Sequence, residues 1–202
     1  FGAEKIDLYD EEIRHTDRQI GKLVDWLRGS SMADETYLLV HSDHGEGFFE
    51  HGYGYHGQHL FNDQIRVPLI LVGPGLPSRQ VDTPVPLLDV APTLLELAGA
   101  PRPPELRGRS LLGYATERPP PARPVFSEMV KDARHSDRRV IVDWPWKLQY
   151  GITFGEYTLY NLAADPHERE DVAKANPEVF ERLQSRLRQW MSEEVEPVTP
   201  RW

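Results

Sequence analysis

The sequence predicts an α/β fold: part of a mostly parallel sheet with flanking helices, followed by a small antiparallel sheet packed by a C-terminal helix. Three observations carry that expectation. A long amphipathic stretch runs into a short continuous apolar stretch, Tyr37-Leu38-Leu39-Val40, and a second apolar stretch, Val67 to Val72, follows a long polar loop. Helix, strand, loop and strand in that order is the texture of a slice of an α/β sheet. Beyond residue 124 the chain changes to short strands parted by Asp, Pro and Gly, and it ends on an amphipathic helix.

Each element has its own warrant. Ile13, Ile20, Leu23, Val24 and Leu27 recur at helical spacing with charged residues between them, which predicts a helix from about Asp7 to Arg28, stopped at Gly29-Ser30-Ser31. Thr36 to His41 and Val67 to Val72 are uninterrupted apolar runs. They read as strands covered on both faces and running as parallel neighbours or near neighbours. Leu87 to Ala98 reads as a helix with Asp89 as N-cap and Pro92 in the first turn, where an N–H group is not needed. Pro101 to Pro124 is rich in Pro and Arg and predicts an extended connector with no stable element of its own.

Val125 to Met129, Arg139 to Val142, Lys147 to Tyr150 and Tyr157 to Leu162 are the expected strands of an antiparallel meander. Asn176-Pro177-Glu178 opens the last helix, whose Val179, Phe180, Leu183, Leu187, Trp190 and Met191 share one face. Its natural place is across one face of the small sheet. The expected division is residues 1–118 for the α/β part with its connector and 119–202 for the antiparallel part with its helix.

Composition limits the function classes. The 202 residues carry 27% charged and 39% hydrophobic side chains, ordinary for a globular protein. A net charge of −9 and dispersed arginines argue against a nucleic-acid surface. No apolar run approaches the ~18 residues that a membrane helix requires. The chain has no cysteine, so disulfides are excluded.

The chemistry concentrates in His41-Ser42-Asp43-His44-Gly45-Glu46 and the loop after it, which holds His51, His56 and His59. A strand that ends by presenting a carboxylate and an imidazole to a Gly-rich turn places them where open α/β sheets bind ligands. Asp oxygen and His nitrogen suit a hard or borderline divalent cation. Trp144-Pro145-Trp146 invites a carbohydrate-stacking reading, but aromatic packing of the small sheet is the expectation. His15, His135 and His167 sit in polar contexts and are expected to face solvent.

The segment from Thr36 to Gly73 resembles the second metal-binding motif of the sulfatases, in the alkaline-phosphatase-like superfamily. The matching residues are Ser42-Asp43-His44-Gly45, His51-Gly52, His56-Gly57 and Arg66-Val67-Pro68-Leu69-Ile70. Tyr9-Asp10-Glu11-Glu12-Ile13 with Asp17 and Ile20-Gly21 is similar to the preceding helix of that family. Pro92 to Gly99 is similar to its following helix, and Leu159-Tyr160-Asn161-Leu162 with Asp165-Pro166-His167-Glu168 to its closing strand and turn.

The resemblance implies that the α/β part belongs to an alkaline-phosphatase-like sheet and that Asp43 and His44 are ligands of a divalent metal. Calcium is the family's usual ion where Asn replaces His44, while a histidine tilts the site toward manganese or zinc. It also implies a catalytic role for His56, at the position where the family places a Lys or His near the transferred group. His51 is expected to shape the loop, His59 has no clear counterpart, and Glu46 and Glu50 are second-sphere acceptors or solvated acids. Arg66 is expected in a structural ion pair.

The implied activity is metal-dependent hydrolysis of a sulfuric ester, the partner being a small-molecule or carbohydrate sulfate ester, with an extracytoplasmic or periplasmic location favoured. The alternatives are a phosphonate monoester or phosphodiester hydrolase of the same superfamily, and a non-catalytic protein that keeps the fold. No Cys/Ser-x-Pro-x-Arg occurs, the motif whose first residue the family oxidises to formylglycine; Gly75-Leu76-Pro77-Ser78-Arg79 has Gly in its place. With the early Asp-Asp pair also absent and Phe1 first, the expectation is the C-terminal part of a longer enzyme, inactive alone, with formylglycine in the missing N-terminal part.

Overall fold

The computed structural model describes residues 3–116, 118–130 and 137–193. They form two compact units: Phe1–His56, Arg66–Val81 and Leu87–Pro120 in the first, Gly57–Ile65, Asp82–Pro86 and Pro121–Trp202 in the second. His135 and the acidic residues after Glu193 lie outside the described residues.

The first unit opens with helix α1 (Ala3–Arg28) and contains strand β1 (Leu38–His41), the two-residue strands β2 (Gly47–Phe48) and β3 (Gly54–Tyr55), strand β4 (Leu69–Val72) and helix α3 (Val90–Leu97). β1 and β4 pair with each other, but antiparallel, Leu38 opposite Val72 and His41 opposite Leu69. The expectation of parallel neighbours is therefore corrected. A parallel pair needs a crossover, usually a helix of a dozen or more residues; the connection here holds the β2–β3 hairpin and only the four-residue helix α2 (Asn62–Ile65).

Nor are these strands covered on both faces among the described residues: Ile70 is 54% exposed and Val72 49%, while Ile13 and Trp26 on α1 are 54% and 60% exposed. Tyr114 is the only buried large hydrophobic residue of this unit among those described.

Asp89 precedes α3 as expected, yet its side chain makes no capping bond. Its buried carboxylate instead accepts the Arg109 N–H at 2.7 Å, and the Thr93 hydroxyl accepts the Leu111 N–H at 2.8 Å. These two bonds pin the Pro- and Arg-rich connector, which contains a 3-10 helix over Leu111–Ala115 where none was expected. At Gly108 the connector passes so close that a Cβ would lie 1.9 Å from the Leu88 carbonyl oxygen. Only glycine fits there.

The second unit is built on one antiparallel sheet in the order β5 (Val125–Met129), β6 (Arg138–Asp143), β7 (Trp146–Gly151), β8 (Glu156–Asn161). The period of two splits the apolar residues between its faces. Ile141, Leu148 and Leu159 on one face meet Leu183 and Leu187 of helix α4 (Pro177–Glu193), all at 0% exposure. Val140, Val142, Tyr160 and Leu162 pack with Leu60, Phe61 and Ile65 from the segment 57–65. Trp146 joins the α4 side, whereas Trp144 stands 54% exposed on the β6–β7 turn. The aromatic-packing expectation therefore applies to Trp146 and not to Trp144.

Leu148→Ala should destabilise this unit by about 2–5 kcal/mol, the range for a fully buried leucine truncated in a rigid core; urea unfolding followed by tryptophan fluorescence measures it. A pH effect follows from the turn after β8. Burial alone would raise the Asp165 pKa, but the backbone N–H groups of Glu170, Arg169 and His167 outweigh it and hold the carboxyl below its ordinary value. A carboxyl whose folded pKa is depressed stabilises the fold above its unfolded pKa, and loses that contribution as pH falls through the folded value. Asp165→Asn should thus lower stability at neutral pH and flatten the loss of stability on acidification below about pH 4, read from denaturation midpoints at stepped pH.

Candidate active site

β1 delivers the chain to Ser42-Asp43-His44-Gly45, where it leaves the strand in a tight local network. The Ser42 hydroxyl donates to the His44 carbonyl oxygen at 2.5 Å, and Asp43 Oδ1 accepts the His44 N–H at 3.0 Å. His44 Nδ1 lies 2.8 Å from the Gly45 carbonyl oxygen. A carbonyl only accepts, so Nδ1 carries the proton, and in the neutral imidazole Nε2 then keeps its lone pair. That Nε2 stands 3.9 Å from Asp43 Oδ2, with the side chains 47% and 86% exposed.

A bare imidazole nitrogen, oriented through its other nitrogen by a backbone carbonyl, is the arrangement found in metal-ligating histidines. A carboxylate oxygen beside it completes a donor pair suited to a divalent cation. No cluster of three or more potential ligands occurs among the described residues.

The β2–β3 hairpin brings His56 to the same place. Gly47 pairs with Tyr55 and Phe48 with Gly54. The turn closes through the Phe49 N–H to the Tyr53 carbonyl oxygen at 3.1 Å, while Glu50 accepts the Phe48 N–H at 2.6 Å. Glu50 is thereby tied into the turn through Oε2. Phe49 and Tyr55 adopt φ of 72° and 66°, the left-handed region that costs a side-chain-bearing residue on the order of 1–3 kcal/mol.

Directly after Tyr55, the His56 Nδ1–H donates to Glu46 Oε2 at 3.2 Å, and its ring lies 4.4 Å from that of His44, tilted by 31°. The other oxygen of Glu46 is buried without a hydrogen-bond partner among the described residues. Glu46 also forms a wall of a cavity of about 290 Å³ lined by Lys5, Tyr9, Glu12, Phe48 and Tyr55. The first turns of α1 thus stand next to the carboxylate that braces His56, which their helical pattern alone does not announce.

Asp43, His44 and His56 therefore lie together in one unit, with Glu46 tying His56 in place. His51 is half-buried on the hairpin turn. His59 belongs to the other unit, where it is 1% exposed and lies 3.0 Å from the Gln64 amide nitrogen. Arg66 is exposed and forms no ion pair among the described residues, correcting the expectation of a structural pair. His15 and His167 are exposed, as expected.

Sequence reasoning overlooked the buried pair Lys147 and Glu168, whose side chains are 0% and 1% exposed and in direct contact. Burial pushes the Lys147 ammonium below its ordinary pKa, and the Glu168 carboxylate opposes that shift. The available signal was a lysine between Trp146 and Leu148 in a predicted strand.

Residues 2–100 match the sulfatase family model, a family of the alkaline-phosphatase-like superfamily. The chain belongs to the sulfatases. A choline-sulfatase of Rhizobium meliloti (strain 1021) is 34% identical over 174 residues, spanning 84% of this chain and 33% of the relative. Arylsulfatase K of Canis lupus familiaris is 31% identical over 189 residues, spanning 86% and 34%. The chain spans about a third of the length of these curated relatives.

Among solved structures, a 2-O GAG sulfatase superposes with a TM-score of 0.77 at 21% identity, covering 88% of this chain and 41% of that one. A protein solved with its substrate D-glucosamine-2-N,6-O-disulfate gives 0.77 at 21%, covering 92% and 40%. A phosphonate monoester hydrolase from Silicibacter pomeroyi also gives 0.77 at 21%, covering 90% and 39%. At these identities the likeness speaks to fold alone.

Proposed function

We propose that this chain is the C-terminal part of a metal-dependent sulfuric ester hydrolase, in which Asp43 and His44 supply half of a divalent-cation site and His56 serves the leaving group. The observation that carries the reading is His44: its Nδ1–H is fixed on the Gly45 carbonyl, and its Nε2 stands 3.9 Å from the Asp43 carboxylate. Family membership and the choline-sulfatase and arylsulfatase K relatives support sulfate ester hydrolysis. A cation held there would polarise the sulfuryl oxygens and offset the charge that builds on them.

The chain's own residues carry the remaining roles. Cleavage of the ester S–O bond leaves the pair of electrons on the departing alcohol oxygen, which needs a proton. His56 is braced through Nδ1 on Glu46, so its Nε2 is the nitrogen presented for transfer to that oxygen. Glu46 keeps the ring oriented and balances its charge when protonated.

The nucleophile, formylglycine in this family, and the remaining metal ligands are assigned to a segment outside this chain, together with the mostly parallel portion of the sheet. Residues 1–118 then form the C-terminal portion of the catalytic α/β part, and 119–202 a subdomain. The half-exposed Ile13, Trp26, Ile70 and Val72 suit a surface that such a segment covers.

The substrate class is a small-molecule or carbohydrate sulfate ester, and an extracytoplasmic location suits it. No helix among the described residues is long and apolar enough to cross a membrane. The phosphonate hydrolase shares the fold, and a histidine at position 44 suits manganese or zinc as well as calcium; the preference for sulfate rests on the sulfatase relatives.

Two measurements test the reading. Calorimetry on the 202-residue chain should show no tight calcium or manganese binding, because two ligands supply too few of the six to eight that such cations take. The protein with its preceding segment restored should bind one ion tightly, and Asp43→Ala should abolish that binding. Turnover of an aryl sulfate should be undetectable for the chain alone. In the restored protein it should fall by roughly 10²–10⁴-fold in His56→Ala, the span typical of a lost acid-base group.

A further inference from the structure

The face of the small sheet turned away from α4 carries a lysine among apolar neighbours. Lys147 pairs with Val142 on β6 and Tyr160 on β8, both buried, and its own side chain is 0% exposed. Its ammonium forms an ion pair with Glu168, donates to Asn62 Oδ1 at 3.2 Å and lies 5.9 Å from the centre of the Phe61 ring. Glu168 Oε2 in turn accepts the Asn62 backbone N–H at 2.6 Å.

To aim its carboxylate inward, Glu168 takes φ of 52°, in the left-handed region, at the end of the Asp165-Pro166-His167 turn. Both costs are avoidable. A buried ion pair is often no more stabilising than apolar residues of the same volume, and a left-handed glutamate is strained. What the pair supplies and an apolar filling could not is direction: two charge-assisted bonds grip one residue by its backbone and its side chain.

We propose that Lys147 and Glu168 are positioning residues that fix the segment 57–65, and with it the chain immediately after His56. Leu60, Phe61 and Ile65 of that segment pack on the sheet, but apolar contact has no direction and permits sliding. The Asn62 bonds set its register. From there Gln64 carries the order back: its amide nitrogen lies 3.0 Å from His59 Nε2 and its Oε1 accepts the Gly57 N–H at 3.0 Å. Gly57 is bonded to His56. The inference rests on the leaving-group role proposed for His56.

Hydrogen–deuterium exchange on the full 202-residue chain tests the anchoring directly. Glu168→Gln should raise exchange in peptides covering 57–65 by about tenfold or more, the loss expected for a charge-assisted bond, while peptides covering β6 to β8 stay within about twofold. The double variant Lys147→Met/Glu168→Leu, which fills the space with apolar atoms, should show the same local rise. A uniform rise across the sheet and the segment, or no rise in either variant, would overturn the proposal.

In the protein with its preceding segment restored, Glu168→Gln should lower kcat about tenfold with little change in KM, and should add no loss in a His56→Ala background. Additive losses would overturn the positioning of His56. If His56→Ala alone leaves turnover intact, the leaving-group role fails and the positioning claim falls with it, while the exchange result still decides whether the pair anchors the segment.

Discussion

Burial on both faces of the β5–β8 sheet is the constraint on which the C-terminal unit depends. Ile141, Leu148 and Leu159 are covered by Leu183 and Leu187 of α4, and Val140, Val142 and Tyr160 by the segment 57–65. A strand slipped by one residue would exchange these two sets, placing Lys147 against α4 and Leu148 where the ammonium now meets Glu168. The register is therefore specified twice, once by apolar packing and once by the buried charge.

The first unit follows a different logic. Apolar residues on α1 and β4 such as Ile13, Trp26, Ile70 and Val72 remain half-exposed, and order around Asp43 and His44 comes from short polar bonds rather than from a core. The donor pair proposed at Asp43 and His44 is open to solvent, and the Gly45 carbonyl orients the His44 ring through Nδ1. The same economy appears at His56, where one carboxylate both orients the ring and walls the neighbouring cavity. Left-handed residues at Phe49 and Tyr55 show that the hairpin gives up backbone stability to hold this arrangement.

Polar residues buried in this protein act as fasteners between segments distant in sequence. Asp89 and Thr93 hold Arg109 and Leu111; Glu168 and Lys147 hold Asn62. Each replaces a contact that apolar packing would leave free to slide, and each lets an irregular stretch of chain lie on a regular element without an unpaired N–H. The connector after α3 and the loop after His56 are ordered in this way despite having little secondary structure.

Periodicity by itself determined α1, α3 and α4, though not the short α2, as well as the strands of the small sheet and the face that α4 buries, because alternation of two and of 3.6 is written locally in residues such as Ile141, Leu148, Leu183 and Leu187. The motif order likewise made Asp43, His44 and His56 legible as one group. Strand direction was not legible: Thr36 to His41 and Val67 to Val72 look alike whether paired parallel or antiparallel, and the pairing found is antiparallel. Nor did sequence reveal that Asp89 bonds to the connector instead of capping α3, that Arg66 has no ion-pair partner among the described residues, or that Lys147 and Glu168 meet. Those facts depend on which segments approach through space, and one-dimensional spacing carries no information about a partner some 20 or 100 residues away until the tertiary fold brings it within hydrogen-bond reach.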